Sequence, residues 1–315
     1  MAQVKKVGLV VGREWSMPPA LVKEINERDQ GVVCDVPKLG APSGAPSLEG
    51  VIGYDVLVDR ISHEVGMYRA FLKHAVVRGV KVVNNPFMWS ADDKFFGATL
   101  AESLGVRSPK TVLLPNREYV PGIKHDESLR NLVFPLDWKA VVEHVGMPCI
   151  LKDAHGGGWK EVYVCRSLEE LIHNYNTSGL LTMIAQEFIE WDEFVRCMCI
   201  GQQEILPMQY DPKARKYHVS DTFLPPAMRE RIIKEARTLN QALGYDMNSM
   251  EFAVKDGIPY AIDFMNCAPD MDIHSLTPTY FEWTIKAMAD MLIKQAKAPT
   301  PPPVSWRGFL GGTSK

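Results

Sequence analysis

The 315-residue chain has no apolar run long enough to span a bilayer, and Met1 to Lys6 is a polar segment leading straight into a candidate strand, so no signal peptide is read. It has no excess of positive charge. Its 35 Lys and Arg stand against 38 Asp and Glu, a formal net charge of −3, which excludes a general electrostatic hold on nucleic acid or an anionic membrane. It has no Cys-x-x-Cys pair. The six cysteines, Cys34, Cys149, Cys165, Cys197, Cys199 and Cys267, are read as reduced and mostly as small core residues, with Cys197 and Cys199 on one face of a strand. There is no internal repeat, and no Gly-Lys-Ser/Thr follows the glycine run, so a Walker A loop is excluded. These absences leave a cytoplasmic globular protein, and a homo-oligomer is compatible with all of them.

What is present is ordinary in bulk, with 46% apolar and 23% charged residues, enough for a substantial core over two domains or three lobes. Short apolar runs at Val7–Val11, Val32–Val36, Tyr54–Val58 and Val80–Val83 alternate with helical patterns at Pro18–Glu27 and Tyr68–Val77. That alternation predicts a parallel sheet covered on both faces. A helix follows over Asp92–Leu104, then a long irregular stretch at Pro115–Pro135. Further helices are predicted at Trp138–Val145, Leu168–Tyr175, Ala227–Leu243 and Thr279–Gln295. Strands are predicted at Cys149–Lys152, Val162–Cys165, Ile184–Phe188 and Arg196–Ile200, with a hairpin of Phe252–Val254 and Tyr260–Phe264 around Lys255-Asp256-Gly257. The Gly, Pro and Ser of 40–47 read as a loop, and the chain from Pro299 as a loose tail.

Four constellations carry chemistry. Lys152 ends a strand before Gly156-Gly157-Gly158, a point charge followed by backbone that can approach polyphosphate oxygens. A flexible hairpin tip with a surface lysine is the plainer alternative. Gln186-Glu187-Phe188-Ile189 is an edge segment able to offer backbone groups to a base, with Glu193 placed for ribose hydroxyls. Its alternative is a core strand followed by a solvated acidic turn. Glu251, Asp263 and Asn266, on the two arms of the hairpin, make an all-oxygen set suited to magnesium. Its alternative is a polar strand pair facing water. Asp92-Asp93-Lys94 opens a helix with Asp92 as a cap, and Lys94 stands in the first turn against the helix dipole, where an anion would compensate it; a solvated surface lysine is the alternative.

Taken in order, these pieces resemble the ATP-grasp superfamily over nearly the whole chain, most of all ligases such as the ribosomal-protein glutamate ligase, glutathione synthetase and D-alanine–D-alanine ligase. Tyr54 to Arg60 resembles the end of the family's amino-terminal domain, and Val80 to Lys94 its entry to the central domain. Gln186 to Ile189 resembles the adenine hinge, and Glu193-Phe194 the ribose-binding pair. Arg196 resembles the arginine of the glutamate-ligase type, and Glu251, Asp263 and Asn266 the magnesium positions. The resemblance implies an α/β ATP-grasp fold with an amino-terminal domain over 1–85, a central lid lobe over 86–190, a carboxy-terminal lobe with the metal site over 191–298 and a tail over 299–315.

It also implies a reaction. Lys94, Lys152 and Gly156 to Gly158 would hold the phosphates of ATP, Glu187, Phe188 and Ile189 the adenine, and Glu193 the ribose. Mg2+ would sit on Glu251, Asp263 and Asn266, with Arg196 and Lys152 as catalytic groups. A carboxylate substrate, small or peptidic, would be phosphorylated and captured by an amine. Arg60, Ser62 and His63 are candidate substrate contacts. A small-molecule kinase on the same fold and an ATP-binding module without turnover are the rival readings. The chain departs from the family at Asp263, three residues before Asn266 where two is usual, and residues three apart face oppositely on a regular strand. A bulge at Phe264-Met265 is therefore expected. Cys267 and Ala268 stand where proline and a basic residue are common, and the glycine loop is followed by bulky Trp159-Lys160.

Overall fold

The structure, a computed structural model, describes residues 4–39, 46, 52–91, 93–158 and 160–299. The loop read at 40–47 lies outside them except for Pro46, as do Asp92, Trp159 and the tail beyond 299. In chain order the elements are β1 (Lys5–Val10), α1 (Met17–Glu27), β2 (Val32–Asp35), β3 (Val56–Asp59), α2 (Gly66–Val77), β4 (Lys81–Val83), a 3-10 turn (Pro86–Ala91), α3 (Lys94–Ser103), β5 (Thr111–Leu113) and α4 (His125–Ser128). There follow α5 (Trp138–Val145), β6 (Cys149–Asp153), β7 (Val162–Cys165), α6 (Leu168–Asn176), β8 (Met183–Glu187), β9 (Glu193–Ile200) and β10 (Glu204–Asp211). The last are β11 (Lys216–His218), α7 (Pro226–Leu243), β12 (Met247–Lys255), β13 (Ile258–Asn266) and α8 (Ile273–Lys297).

The chain divides into two compact units. The first draws on Met1–Ser90, Phe194–Glu251 and Asn266–Lys315, and the second on Ala91–Glu193 and Phe252–Met265. In the first unit β2, β1, β3 and β4 lie in that order as a parallel sheet. Alternate residues of β1 serve its two faces. Val7 and Leu9 join Met17, Leu21 and Ile25 of α1 and Met288 and Leu292 of α8 in one core. Val10 packs with Leu57 and with Leu72 and Ala75 of α2 in another. In α7, Ile232, Ala236 and Leu239 form the buried stripe, and Gly244 in the left-handed region ends the helix.

The second unit holds an antiparallel sheet of order β5, β8, β6, β7. Its core joins Leu151 and Cys149 of β6 and Ala185 of β8 to Val141 and Val145 of α5 and Leu171 of α6. Asp137 and Ser167 cap α5 and α6 by accepting from Ala140 N at 3.0 Å and Glu170 N at 3.3 Å.

A third sheet has the order β11, β10, β9, β12, β13, and the division into units runs through its last two strands. The hairpin between them turns on Asp256 and Gly257, at φ 50° and 72°. Positive φ at both positions is what a two-residue turn between twisted strands requires. Among the described residues no helix is long and apolar enough to cross a membrane.

Candidate functional site

In the second unit, α3 and β13 border a small groove lined by Lys94, Ser108, Gln186 and Asp263 over an apolar floor that includes Ala98 and Phe264. Lys94 is the first residue of α3. The cap of that helix is Asp93, not Asp92 as expected, because it is the Asp93 carboxylate that accepts from Phe96 N at 2.6 Å. Lys94 Nζ donates to the carbonyl of Gly156, and Lys94 N to that of Ala154 at 2.9 Å, so the glycine run is tied to the start of α3. Lys152 is 7% exposed on β6 and donates from Nζ to the Ile262 carbonyl at 3.3 Å. Gln186 is buried too, with Nε2 on Thr111 Oγ1 at 2.9 Å.

β8 ends at Glu187, whose N–H is taken by the Lys110 carbonyl at 2.8 Å and whose carboxylate accepts from Lys110 N at 3.2 Å. Phe188 and Ile189 lie beyond the ladder. Ile189 is 7% exposed, yet its backbone N–H and C=O have no hydrogen-bond partner among the described residues. Glu193 opens β9 just beyond.

The burial pattern of β13 departs from regular alternation. The strand continues unbroken through Phe264 and Met265 to Asn266. Ile262 and Asp263 are both half-buried between buried Ala261 and buried Phe264. A Cβ on Gly97 of α3 would stand 2.9 Å from Met265 Cε and 3.4 Å from Phe264 Cζ, so two successive side chains of the strand approach the same helix residue.

In the first unit, Arg196 forms an ion pair with Glu251 and donates from Nη1 to Tyr217 Oη at 3.2 Å. Its guanidinium lies 4.1 Å from the centre of the Tyr210 ring. Burial works against the charge, but Glu251 and Tyr217 outweigh it, so Arg196 titrates above its ordinary range. Burial pushes the Tyr217 phenol up to about 12. Asn266 donates from Nδ2 to Ser249 Oγ at 2.9 Å, and its N–H reaches Asn248 Oδ1 at 2.9 Å. Glu251 and Asn266 belong to this unit and Asp263 to the other.

Arg60, Ser62 and His63 also lie in the first unit. Arg60 is 4% exposed, with Nε on Glu14 at 2.7 Å and Nη2 on the Pro269 carbonyl. Ser62 is fully buried, and its hydroxyl donates to Asp59. His63 is half-exposed with Glu64 at 3.8 Å, and burial lowers its pKa despite that carboxylate. The sequence reading did not single out Tyr210, Tyr217, Glu14 or Asp272. The tyrosines alternate on strands too polar to stand out, and the two acids carry no local pattern.

No protein-family model matches the chain. It is 31% identical over 163 residues to a D-alanine–D-alanine ligase of Polynucleobacter asymbioticus, covering 45% of this chain and 48% of that protein. A D-alanine–D-alanine ligase of Ralstonia nicotianae is 29% identical over 165 residues, covering 45% and 49%. The match thus spans about half the length of these curated relatives. Among solved structures, an ATP-grasp RimK domain protein of Sphaerobacter thermophilus superposes with a TM-score of 0.64 at 16% identity, over 93% of this chain and 100% of that one. The D-alanine–D-alanine ligase of Bacillus anthracis complexed with ATP gives 0.60 at 17%, over 93% and 96%. The VanG D-Ala:D-Ser ligase of Enterococcus faecalis gives 0.64 at 16%, over 93% and 100%. With its parallel amino-terminal sheet, its two antiparallel sheets and these neighbours along nearly its whole length, the chain has the ATP-grasp fold.

Proposed function

We propose that the protein is an ATP- and magnesium-dependent ligase that joins a carboxylate to an amine through an acyl phosphate. The groove of the second unit carries this reading: it gathers Lys94, Gln186 and Asp263 from distant parts of the sequence, with Lys94 tied to the glycine run. Lys94 and Lys152 hold the phosphates, and Gly156 to Gly158 cover them. Ile189 offers its unpaired N–H and C=O to adenine beside Glu187 and Phe188, and Glu193 takes the ribose hydroxyls.

Glu251 and Asn266 in the first unit and Asp263 in the second are each of the oxygen-donor type a hard cation takes. All three present oxygen, and the bond from Asn266 Nδ2 to Ser249 leaves the amide oxygen to accept. Bound there, magnesium would neutralise charge on the phosphate oxygens. A substrate carboxylate oxygen attacks the γ-phosphorus, forming one O–P bond and releasing ADP as the other breaks. The amine nitrogen then attacks the carbonyl carbon, a C–N bond forms, phosphate leaves and the nitrogen loses a proton. Arg196 holds its charge against the transferring phosphoryl group, and the work of the chain is positioning and charge stabilisation.

The test is ADP release by the purified protein with ATP, magnesium and pooled carboxylic acids and amines. Release that needs both pools supports the ligase. Release with one pool alone, or none with both, overturns it.

A further inference from the structure

In the parallel sheet, β1 lies between β2 and β3, so the order of connection reverses between β1 and β3. Ligands of open parallel sheets bind outside the carboxyl ends of the strands at such a reversal. Two loops stand there, 11–16 after β1 and 60–65 after β3, and they meet where a Cβ on Gly12 would lie 2.5 Å from the Arg60 carbonyl oxygen. The first loop carries Trp15, which is 64% exposed and stacked on exposed His274, ring centres 5.4 Å apart and planes 24° from parallel.

The backbone that carries the indole is held in place. The Asp272 carboxylate accepts from the backbone N–H of Trp15, Ser16 and Met17 at 3.4, 3.0 and 3.2 Å, and from Ser16 Oγ at 2.7 Å. Ser16 Oγ in turn accepts from Ile273 N at 3.0 Å. An aromatic face pinned in this way loses little freedom on binding, which is how preorganised sites gain affinity.

The surrounding charge selects the occupant. The amides that open α1, which would otherwise suit an anion, are already taken by Asp272. Arg13 is paired with Glu64 at 2.9 Å, and Arg60 with Glu14. Asp270, exposed, accepts from Asp272 N at 3.0 Å and from Ser275 Oγ. Neither Asp270 nor Asp272 forms an ion pair among the described residues. Both arginines are thus matched by carboxylates and negative charge is left over. An indole face attracts cations and a surplus carboxylate repels anions.

We propose that the Trp15–His274 pair is a platform for a cationic amine, such as a diamine, a polyamine or a basic side chain.

The full chain without ATP is titrated calorimetrically with 1,4-diaminobutane, tetramethylammonium and acetate. Both cations bind and acetate does not. Trp15→Ala weakens the cations about tenfold, Trp15→Phe retains most of the affinity, and Asp270→Asn, at an exposed position, weakens 1,4-diaminobutane without disturbing the pinned loop. Acetate binding as well as the cations, or unchanged cation affinity in Trp15→Ala and Asp270→Asn, overturns the platform.

Discussion

Arg196 of β9 and Glu251 of β12 meet as an ion pair on adjacent strands, with side chains 18% and 13% exposed. Glu251 therefore has a positive partner in place without any metal. Arg196→Ala removes the cation beside this largely buried carboxylate and costs about 3 kcal/mol of stability, measured by urea unfolding. Arg196→Lys keeps the charge but loses the fork and the flat contact with Tyr210, so it recovers stability more than turnover. Equal turnover in Arg196→Lys and wild type refutes the role in phosphoryl transfer.

Lys152→Ala lowers ADP release by at least about 100-fold while the circular dichroism spectrum and unfolding midpoint stay close to wild type. Lys94→Ala acts in the same direction but more weakly. Wild-type turnover in purified Lys152→Ala defeats the assignment of this lysine to the phosphates.

Asp263→Asn reduces magnesium-dependent ADP release far more than it reduces ATP binding measured in EDTA. The two readouts separate metal from nucleotide, because an amide remains an oxygen donor but lacks the charge a hard cation favours. Equal losses in both assign Asp263 to the groove wall instead.

Hydrogen exchange at Gly156 to Gly158 slows when ATP and magnesium are added. Loops that cover a reactive phosphate exclude water only once they close. Identical exchange with and without nucleotide removes this loop from the site.

Asp272 supplies a pH-dependent contribution. Burial alone would raise its pKa, but the Ser16 hydroxyl and three backbone N–H groups hold it below the ordinary carboxylate value. A group depressed on folding stabilises the native state above its unfolded pKa of about 3.9, and that contribution is lost as pH falls through the lower folded value. Asp272→Ala is therefore less stable than wild type by about 1 kcal/mol at pH 7, and the gap closes in acid. A gap independent of pH between 7 and 2 contradicts the ionised cap.

Much of this fold was legible where local chemistry and tertiary packing agree. Trp138–Val145 and Val162–Cys165 emerge with the bounds their patterns predict, and Gly244 stops α7 by its positive φ. Strand β10 was not legible, because Pro207 sits within it and its charges break the apolar run. β5 spans only Thr111–Leu113, too short for any period to show. β12 begins earlier than its apolar run because Asn248 and Ser249 are buried and bonded, Asn248 to Asn240 at 3.1 Å and Ser249 to Asn266 at 2.9 Å. α8 was read only from Thr279, since the backbone turns at Thr277 before Pro278. Within the candidate site, the approach of Phe264 and Met265 to Gly97 was not legible, because the helix residue lies more than 160 positions away.

The mutual capping of Ser16 and Asp272 ties together residues 256 positions apart. During synthesis, α1 leaves the ribosome long before the acid that caps it or the helix whose Met288 and Leu292 cover Met17 and Leu21. At the usual rate of about 5–20 residues per second, that interval is on the order of ten to fifty seconds. Throughout it the face of α1 that packs on Met288 and Leu292 has no α8 to cover it.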